Sequence, residues 1–471
     1  MQIRFNSLVA LCVVQTLTLG SAMAQQAAPT PEQVAAAAAA MVVTDNTKYT
    51  TGVTVVNGQY VAGSSTPATV TGTAGNKSAS NLRIVSTAKD FNGLIVKGAN
   101  STYTLSDSNI ELSGNGSNDF VGLAAGAMAD GGATLILKNV NIKTTGVISP
   151  AVVNTNGGTL KVYNSTLVST GGPLPADYVP KIGAGMMTPP DGLSIGGTAR
   201  ATITLNKSES YFYNSKIFAD GWGALSTDMS NDYLYLEAND CDIRVTGKGY
   251  GLYADWGGHV VINNSKLSSG VFGGIVAGAA RMELNNVDSQ SGRSAVMLHS
   301  VMGKVTDIGL LTLHGGTHTA DDAVILVRSA NADITIDQAK LVSKKGVLLQ
   351  AVVNPDSFAT KVTGRAPGIR ALVRDARLSG DILNEDNQRR MAVTLNGSTL
   401  KGAIRGVSIA IDKSSKWTAT ANSSVVLTNN EDVARISAAS GVTVTVVPAE
   451  GSTLSNRKLS GGGSLVVSSA L

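Results

Sequence analysis

Charge is scarce in this chain of 471 residues: Asp, Glu, Lys and Arg together make 15% of it, against about a quarter in ordinary soluble domains. The net charge is only +4. A solvated disordered polymer needs more charge and less than the 43% apolar content found here. The basic residues are spread along the chain without the clustered stripe that phosphate backbones require, so nucleic acid is not an expected partner. Beyond the first twenty-odd residues no apolar run reaches bilayer length, which argues against helical membrane spans in the mature chain. Aromatics are only 4% and cysteines number two. The sequence also has no H-E-x-x-H, paired C-x-x-C, G-x-S-x-G elbow or P-loop, so common zinc, esterase, protease and nucleotide chemistries lack their residues.

What is present begins with an address. Arg4, an apolar core from Leu8 to Leu19 and the small-x-small site Ala22-Met23-Ala24 read as a secretory signal peptide over 1–24. A lipid anchor on Cys12 is set aside, because Leu11 is too large for the position before it. Cleavage removes Cys12 and leaves Cys241 as the one cysteine, which excludes an internal disulfide and makes a buried small hydrophobe its simplest reading. Residues 25–45 follow as a linker or N-terminal cap. Within them Thr30–Met41 reads either as a short capping helix, with Thr30 as N-cap and Pro31 at N1, or as a flexible Ala-rich linker.

From about residue 80 one pattern recurs: an apolar residue, a spacer, a second apolar residue, four intervening residues, then a third. The second position falls at Leu105, Leu137, Val162, Phe212, Ile262, Leu284, Leu313, Ile336, Val373 and Leu395, and Leu236 fits with a two-residue insertion before Ile243. Such a period marks a solenoid, and period-two alternation within each copy marks strands with one buried face. Two residues after the second position stand Asp107, Asn139, Asn164, Asn214, Asn264, Asn286 and Asp375, with Gly315 and Gly397 in two other copies and Gln338 as the exception. These residue types tolerate left-handed backbone angles, so each copy is expected to turn sharply there. The expected fold is all-β, a right-handed single-stranded parallel β-helix over 46–408 with a closing region over 409–471. Rungs stacked at about 4.8 Å would let the asparagines bond one another in a ladder, and a dozen rungs or more would make a rod of roughly 60 to 70 Å.

The pattern resembles the right-handed β-helix passengers of autotransporters, in the manner of pertactin, and more loosely the pectin-lyase-like superfamily. The resemblance covers residues 80–466 and is most specific in Val407–Trp417, Asn422–Thr428 and Leu459–Leu465. It implies that the C-terminal stretch closes the helix and helps it fold. Residues 409–471 are too few for the membrane barrel that exports such passengers, since each spanning strand needs about ten residues. The expected location is therefore the periplasm or the cell surface, reached by another route or with the outer membrane or a separate exporter as partner.

Function must then come from what projects off the coil. Eleven of the 21 aromatic residues fall between Tyr211 and Phe272. Phe212 holds a core position, whereas Trp222 and Trp256, flanked by glycines and aspartates, are as compatible with exposure as with burial. Flat exposed rings suit sugar faces, and with Tyr250 and Phe272 they form the expected ligand-binding set. Aligning the return strands on Ala224, Gly251, Gly274 and Ala295 places Asp228, Asp255, Gly278 and His299 four positions later, and Trp222, Gly249, Phe272 and Arg293 two positions earlier. Asp228 and Asp255 would then lie about 5 Å apart, as a solvated surface pair, as carbohydrate contacts, or as the acid and nucleophile of a glycosidase. The same pair makes calcium the one cofactor to consider. The insertion Gly171–Arg200, with five prolines, reads as a lid beside this region or as a tolerated loop. His314 and His318, with Asp321 and Asp322, invite a metal reading, but His318 sits at a normally apolar position, so a partly buried structural histidine is preferred and no metal site is assigned. His259 stands alone. The leading expectation is an adhesin-like protein binding carbohydrate or another cell-surface ligand. The alternative is a polysaccharide lyase, hydrolase or epimerase using Asp228, Asp255, Arg293 and His299.

Overall fold

A computed structural model describes residues 43, 46–61, 68–180, 183–228, 233–301, 303–356, 359–362 and 364–470. The expected signal peptide and the helix or linker over Thr30–Met41 lie outside these residues. The chain is nearly all β, with 56% strand and 3% helix. It divides into two units, Met1–Val260 with Ser268–Val271, and Val261–Leu267 with Phe272–Leu471. Among the described residues no helix is long and apolar enough to cross a membrane.

From Ala127–Asp130 onward in the first unit, strands pair in parallel with the third strand before and the third after them, so the backbone winds there as an all-β solenoid of three strands per turn. The strands Thr102–Ser106, Thr134–Lys138, Thr159–Tyr163 and Glu209–Tyr213 follow one another in the first sheet. Leu105 pairs with Leu137, Leu137 with Val162 and Val162 with Phe212, as the repeat predicts. All four are fully buried. The next partner of Phe212 is Ala238 and not Leu236, so this copy carries no insertion. A ring and a methyl group share the space that two leucines fill elsewhere, and the small residue hid the true register.

The turn after each first strand is left-handed. Asp107, Asn139, Asn164, Asn214 and Asp240 have φ between 47° and 55°. Their side chains form the expected ladder in pieces: Asn139 donates to Asp107 at 3.1 Å and Asn214 to Asn164 at 2.8 Å. A second ladder lies one residue further on. The Oγ of Ser108 accepts the backbone N–H of Leu82, that of Ser165 accepts Val140, and that of Ser215 accepts Ser165, at 3.0 to 3.1 Å. Each hydroxyl then donates to the carbonyl two residues back, so no buried polar atom at this corner is wasted.

The third sheet differs from the other two because its outer face is covered. Ile95, Met128, Val153 and Ile203 pair in sequence and form a satellite core with Phe120, Ala125 and Leu205, against which Tyr49, Val43 and Ala184 pack. Phe120 comes from a short turn of helix, Asp119–Val121, capped by Asn118. Ala184 comes from the Gly171–Arg200 insertion, which thus folds back onto the sheet. At the start of the unit, Ala68–Ala74 runs antiparallel to Ser78–Ser86.

The second unit repeats the plan. Leu284, Leu313, Ile336, Val373, Leu395 and Ile411 form one paired core column. Its turns take positive φ at Asn264, Asn286, Gly315, Asp375 and Gly397, and also at Gln338, with φ 56°. Asn286 donates to Asn264 at 3.3 Å. A separate four-stranded sheet holds Leu378, Leu400, Trp417 and Ile436 in register, with the Trp417 Nε1 donating to the Gly402 carbonyl at 2.9 Å. The last strand, Ser464–Val467, is met by an antiparallel pairing with Arg457 and Lys458.

Candidate functional site

The rings expected at the surface are mostly interior. Trp222 is 3% exposed, and Tyr250 and Phe272 are fully buried. The reason for Trp222 is Arg200, the residue that ends the long insertion. Its guanidinium lies 5.1 Å from the Trp222 ring and 5.2 Å from that of Phe120. It donates to Asp119 at 2.9 Å and to Asp228. Burial pushes the Asp119 carboxyl up, opposed by Arg200. Burial also works against charge on Arg200, but the two carboxylates outweigh it and hold the guanidinium above its ordinary range. Tyr250 packs where Gly223 leaves no β-carbon, and its hydroxyl bonds the Ser226 hydroxyl at 2.8 Å. Trp256 is half-buried, with its indole N–H enclosed and without a hydrogen-bond partner.

The strands that carry the carboxylate pair keep the expected register. Trp222 pairs with Gly249 and Ser226 with Tyr253, the offset predicted for Asp228 and Asp255. The Asp228 carboxylate, however, is engaged by Arg200. The Asp255 backbone N–H donates to the Thr227 hydroxyl at 3.1 Å. In the second unit the expected register is wrong by one residue: Gly274 pairs with Val296 and not Ala295, and His299 pairs with Ala277 and not Gly278. Adjacent small residues, Gly273-Gly274 and Ser294-Ala295, allow either alignment by size alone. His299 is buried, its Nε2 has no partner, and burial followed by the charge of Arg328 pushes its pKa down to about 4. Arg293 is partly exposed, 5.5 Å from the Phe272 ring.

The metal-suggesting histidines also separate. His318 is in the core, its Nδ1 bonded to the Ser289 hydroxyl at 2.9 Å, more deeply buried than expected. His314 lies at the surface against Asp337 at 2.8 Å. Among the described residues no group of three His, Cys, Asp or Glu side chains is placed to hold a metal ion.

A different set of aromatic residues does converge. On the first sheet of the first unit, alternation turns Ser210 and Phe212 inward and Glu209, Tyr211 and Tyr213 outward. Parallel pairing then lines up neighbours: Lys161 with Tyr211 and Glu237, Tyr163 with Tyr213, and Glu209 with Tyr235. Tyr163 and Tyr213 stack at 4.9 Å with planes 10° apart. Tyr211 meets Tyr235 at 5.6 Å, Tyr235 is parallel to Tyr233 at 6.4 Å, and His259 stands edge-on to Tyr235 at 5.3 Å. Tyr233 is 50% exposed. Carboxylates interleave with the rings: Tyr211 donates to Glu209 at 2.8 Å and Tyr235 to Glu237 at 2.6 Å, while Asn239 donates to the other oxygen of Glu237 at 2.7 Å. Partial burial and these carboxylates hold both phenols above their ordinary pKa range, so they remain neutral donors. The Lys161 ammonium sits 5.9 Å from the Tyr211 ring.

This surface was legible in the sequence. Tyr211 and Tyr213 flank the core residue Phe212, and period two sends both neighbours of an inward residue outward. Chemically it offers flat apolar rings on a rigid sheet, with fixed carboxylate and amide groups between them to accept or donate hydrogen bonds. No family model matches the chain, and no curated protein matches it in sequence.

Proposed function

We propose that the protein is a secreted, right-handed parallel β-helix of the passenger type that works as an adhesin-like binder. Its ligand is carbohydrate, free or on a cell surface, held on the face formed by Tyr163, Tyr211, Tyr213, Tyr233, Tyr235 and His259. The observation that carries this reading is the outward tyrosine cluster interleaved with Glu209 and Glu237. Sugar CH faces stack on such rings, and the remaining carboxylate lone pairs accept sugar hydroxyls. A hydrolase, lyase or epimerase reading finds no support at Asp228, whose carboxylate is already engaged by Arg200.

The test is retention on a glycan array and on polysaccharide-coated resin, with the Tyr211→Ala/Tyr235→Ala variant beside the parent chain. Loss of two stacking rings, each worth about 0.5–1.5 kcal/mol, should weaken retention about tenfold or more with little change in melting temperature. Absence of retention by the parent on a broad panel, or undiminished retention by the variant, removes the proposal.

A further inference from the structure

The second unit contains a cleft of about 190 Å³ whose wall includes Arg293, Ser294, Asp322, Arg328 and Gln350. Two arginines line one small space there. Arg328 is almost fully buried; its Nη2 donates to the Asn354 side-chain oxygen at 2.8 Å and its Nη1 approaches the Met297 sulfur at 3.8 Å. Arg293 rests against the Phe272 ring and reaches Asp322 only at 3.9 Å. The other oxygen of Asp322 is held by Lys345 at 2.6 Å, so the arginine shares that carboxylate with the lysine. The Gln350 amide donates to Glu385 at 2.8 Å. The cations Arg293, Arg328 and Lys345 thus stand beside the carboxylates of Asp322, Asp356 and Glu385, of which Asp322 is held by Lys345 and Glu385 by Gln350.

Two further features favour an anion in the cleft. The Ser294 hydroxyl is fully buried in the wall of the cleft and has no hydrogen-bond partner. Burial, and then the proximity of Arg293, push Arg328 below its ordinary pKa, the condition that an anion between two guanidinium groups relieves. Planar guanidinium donors match the paired oxygens of a carboxylate or sulfate, and a serine hydroxyl adds one more donor.

We propose that this cleft is a subsite for an oxyanion, a carboxylate or sulfate group, bound by Arg293 and Arg328 with Ser294. The site uses none of the tyrosines, so it stands or falls separately from the carbohydrate face.

The experiment is calorimetric titration and thermal unfolding of the full chain with three probes: sodium sulfate, a sulfated disaccharide and a glucuronic-acid disaccharide. Each is compared with sodium chloride at equal ionic strength, since unspecific screening acts on all salts. The expected result is a rise in unfolding midpoint above the chloride control. Arg293→Gln should lose at least tenfold in affinity and Ser294→Ala roughly three- to tenfold, while Arg370→Gln, at an exposed side chain of the same unit, should bind as the parent does. Tighter binding of a sugar-borne group than of free sulfate assigns the site to an acidic glycan. Equal binding assigns it to the free ion, and both outcomes support oxyanion recognition. No shift beyond chloride with any probe, or an equal shift in Arg293→Gln, overturns it.

Discussion

The Cys241 sulfur accepts the backbone N–H of Ser215, as the Ser215 hydroxyl itself accepts the N–H of Ser165 at 3.1 Å. The thiol completes the likeness by donating to the Asn239 carbonyl at 3.2 Å, where Ser215 donates to Tyr213. Cys241 is therefore a sulfur version of the serine that lines this corner in other turns.

Cys241→Ser should accordingly leave stability within about 1 kcal/mol of the parent, whereas Cys241→Val, which removes the acceptor from a buried N–H, should cost about 1–3 kcal/mol. Urea denaturation of the two variants decides. Burial also pushes the thiol pKa up to about 11, so native protein should resist an aromatic disulfide reagent at pH 8 and react once unfolded.

Gln338 takes φ 56° at a turn where its neighbours in the stack are Gly315 and Asp375. A glutamine gains no local compensation for left-handed backbone, which costs roughly 1–2 kcal/mol for an ordinary residue. Gln338→Asn should stabilise the protein by about 0.5–1 kcal/mol, seen as a higher urea midpoint with unchanged slope.

Arg200 joins the short helix at Asp119 to the strand carrying Asp228, with Arg200 and Asp119 buried beside the rings of Phe120 and Trp222 and Asp228 partly exposed. Arg200→Met leaves the buried Asp119 carboxylate without its cation and should cost about 3–5 kcal/mol. Adding Asp119→Asn should recover part of this loss. Equal stability of the single and double variants in chemical denaturation would contradict the account.

His299 and His318 are buried with pKa values near 4, lowered chiefly by burial, against an ordinary value of 6.5. Between those values the unfolded chain binds more protons than the folded one, so stability falls as pH drops from about 6.5 towards 4. Each histidine contributes up to about 1.4 kcal/mol per pH unit. His318→Leu should flatten this slope. It also leaves Ser289 without its partner, so a modest loss at pH 7.5 should turn into a relative gain at pH 5 in paired denaturation curves.

The winding of the chain could be read from short-range chemistry. Asn164, Asn214 and Asn286 mark turns because the backbone angle there admits few residue types, and Leu137, Val162 and Phe212 mark register because the interior admits only apolar ones. Reading failed where size stopped discriminating. Ala238 is masked by Leu236 two residues earlier, and the small residues around the Phe272–Ser294 pair admit a register one residue off. The burial of Trp222 escapes the sequence for another reason: what covers it is Arg200, the last residue of a long insertion, which also lies against Phe120, about a hundred residues away in the chain. Local pattern holds no information about such a partner. The tyrosine face lay within reach, since it follows from alternation about Phe212. The serine ladder was visible too, as the serine after Asn164, Asn214 and Asn264.

The doubly covered third sheet of the first unit separates two kinds of freedom. The departures from the repeat made by the Asp119–Val121 helix and the insertion that ends at Arg200 come to rest against its outward column of Ile95, Met128, Val153 and Ile203. Chain can therefore be lengthened or exchanged on that flank while the bare outward columns of the first sheet keep their spacing. An engineer seeking to graft a new segment has a seat already upholstered on one side, and a display surface on another that the graft does not disturb.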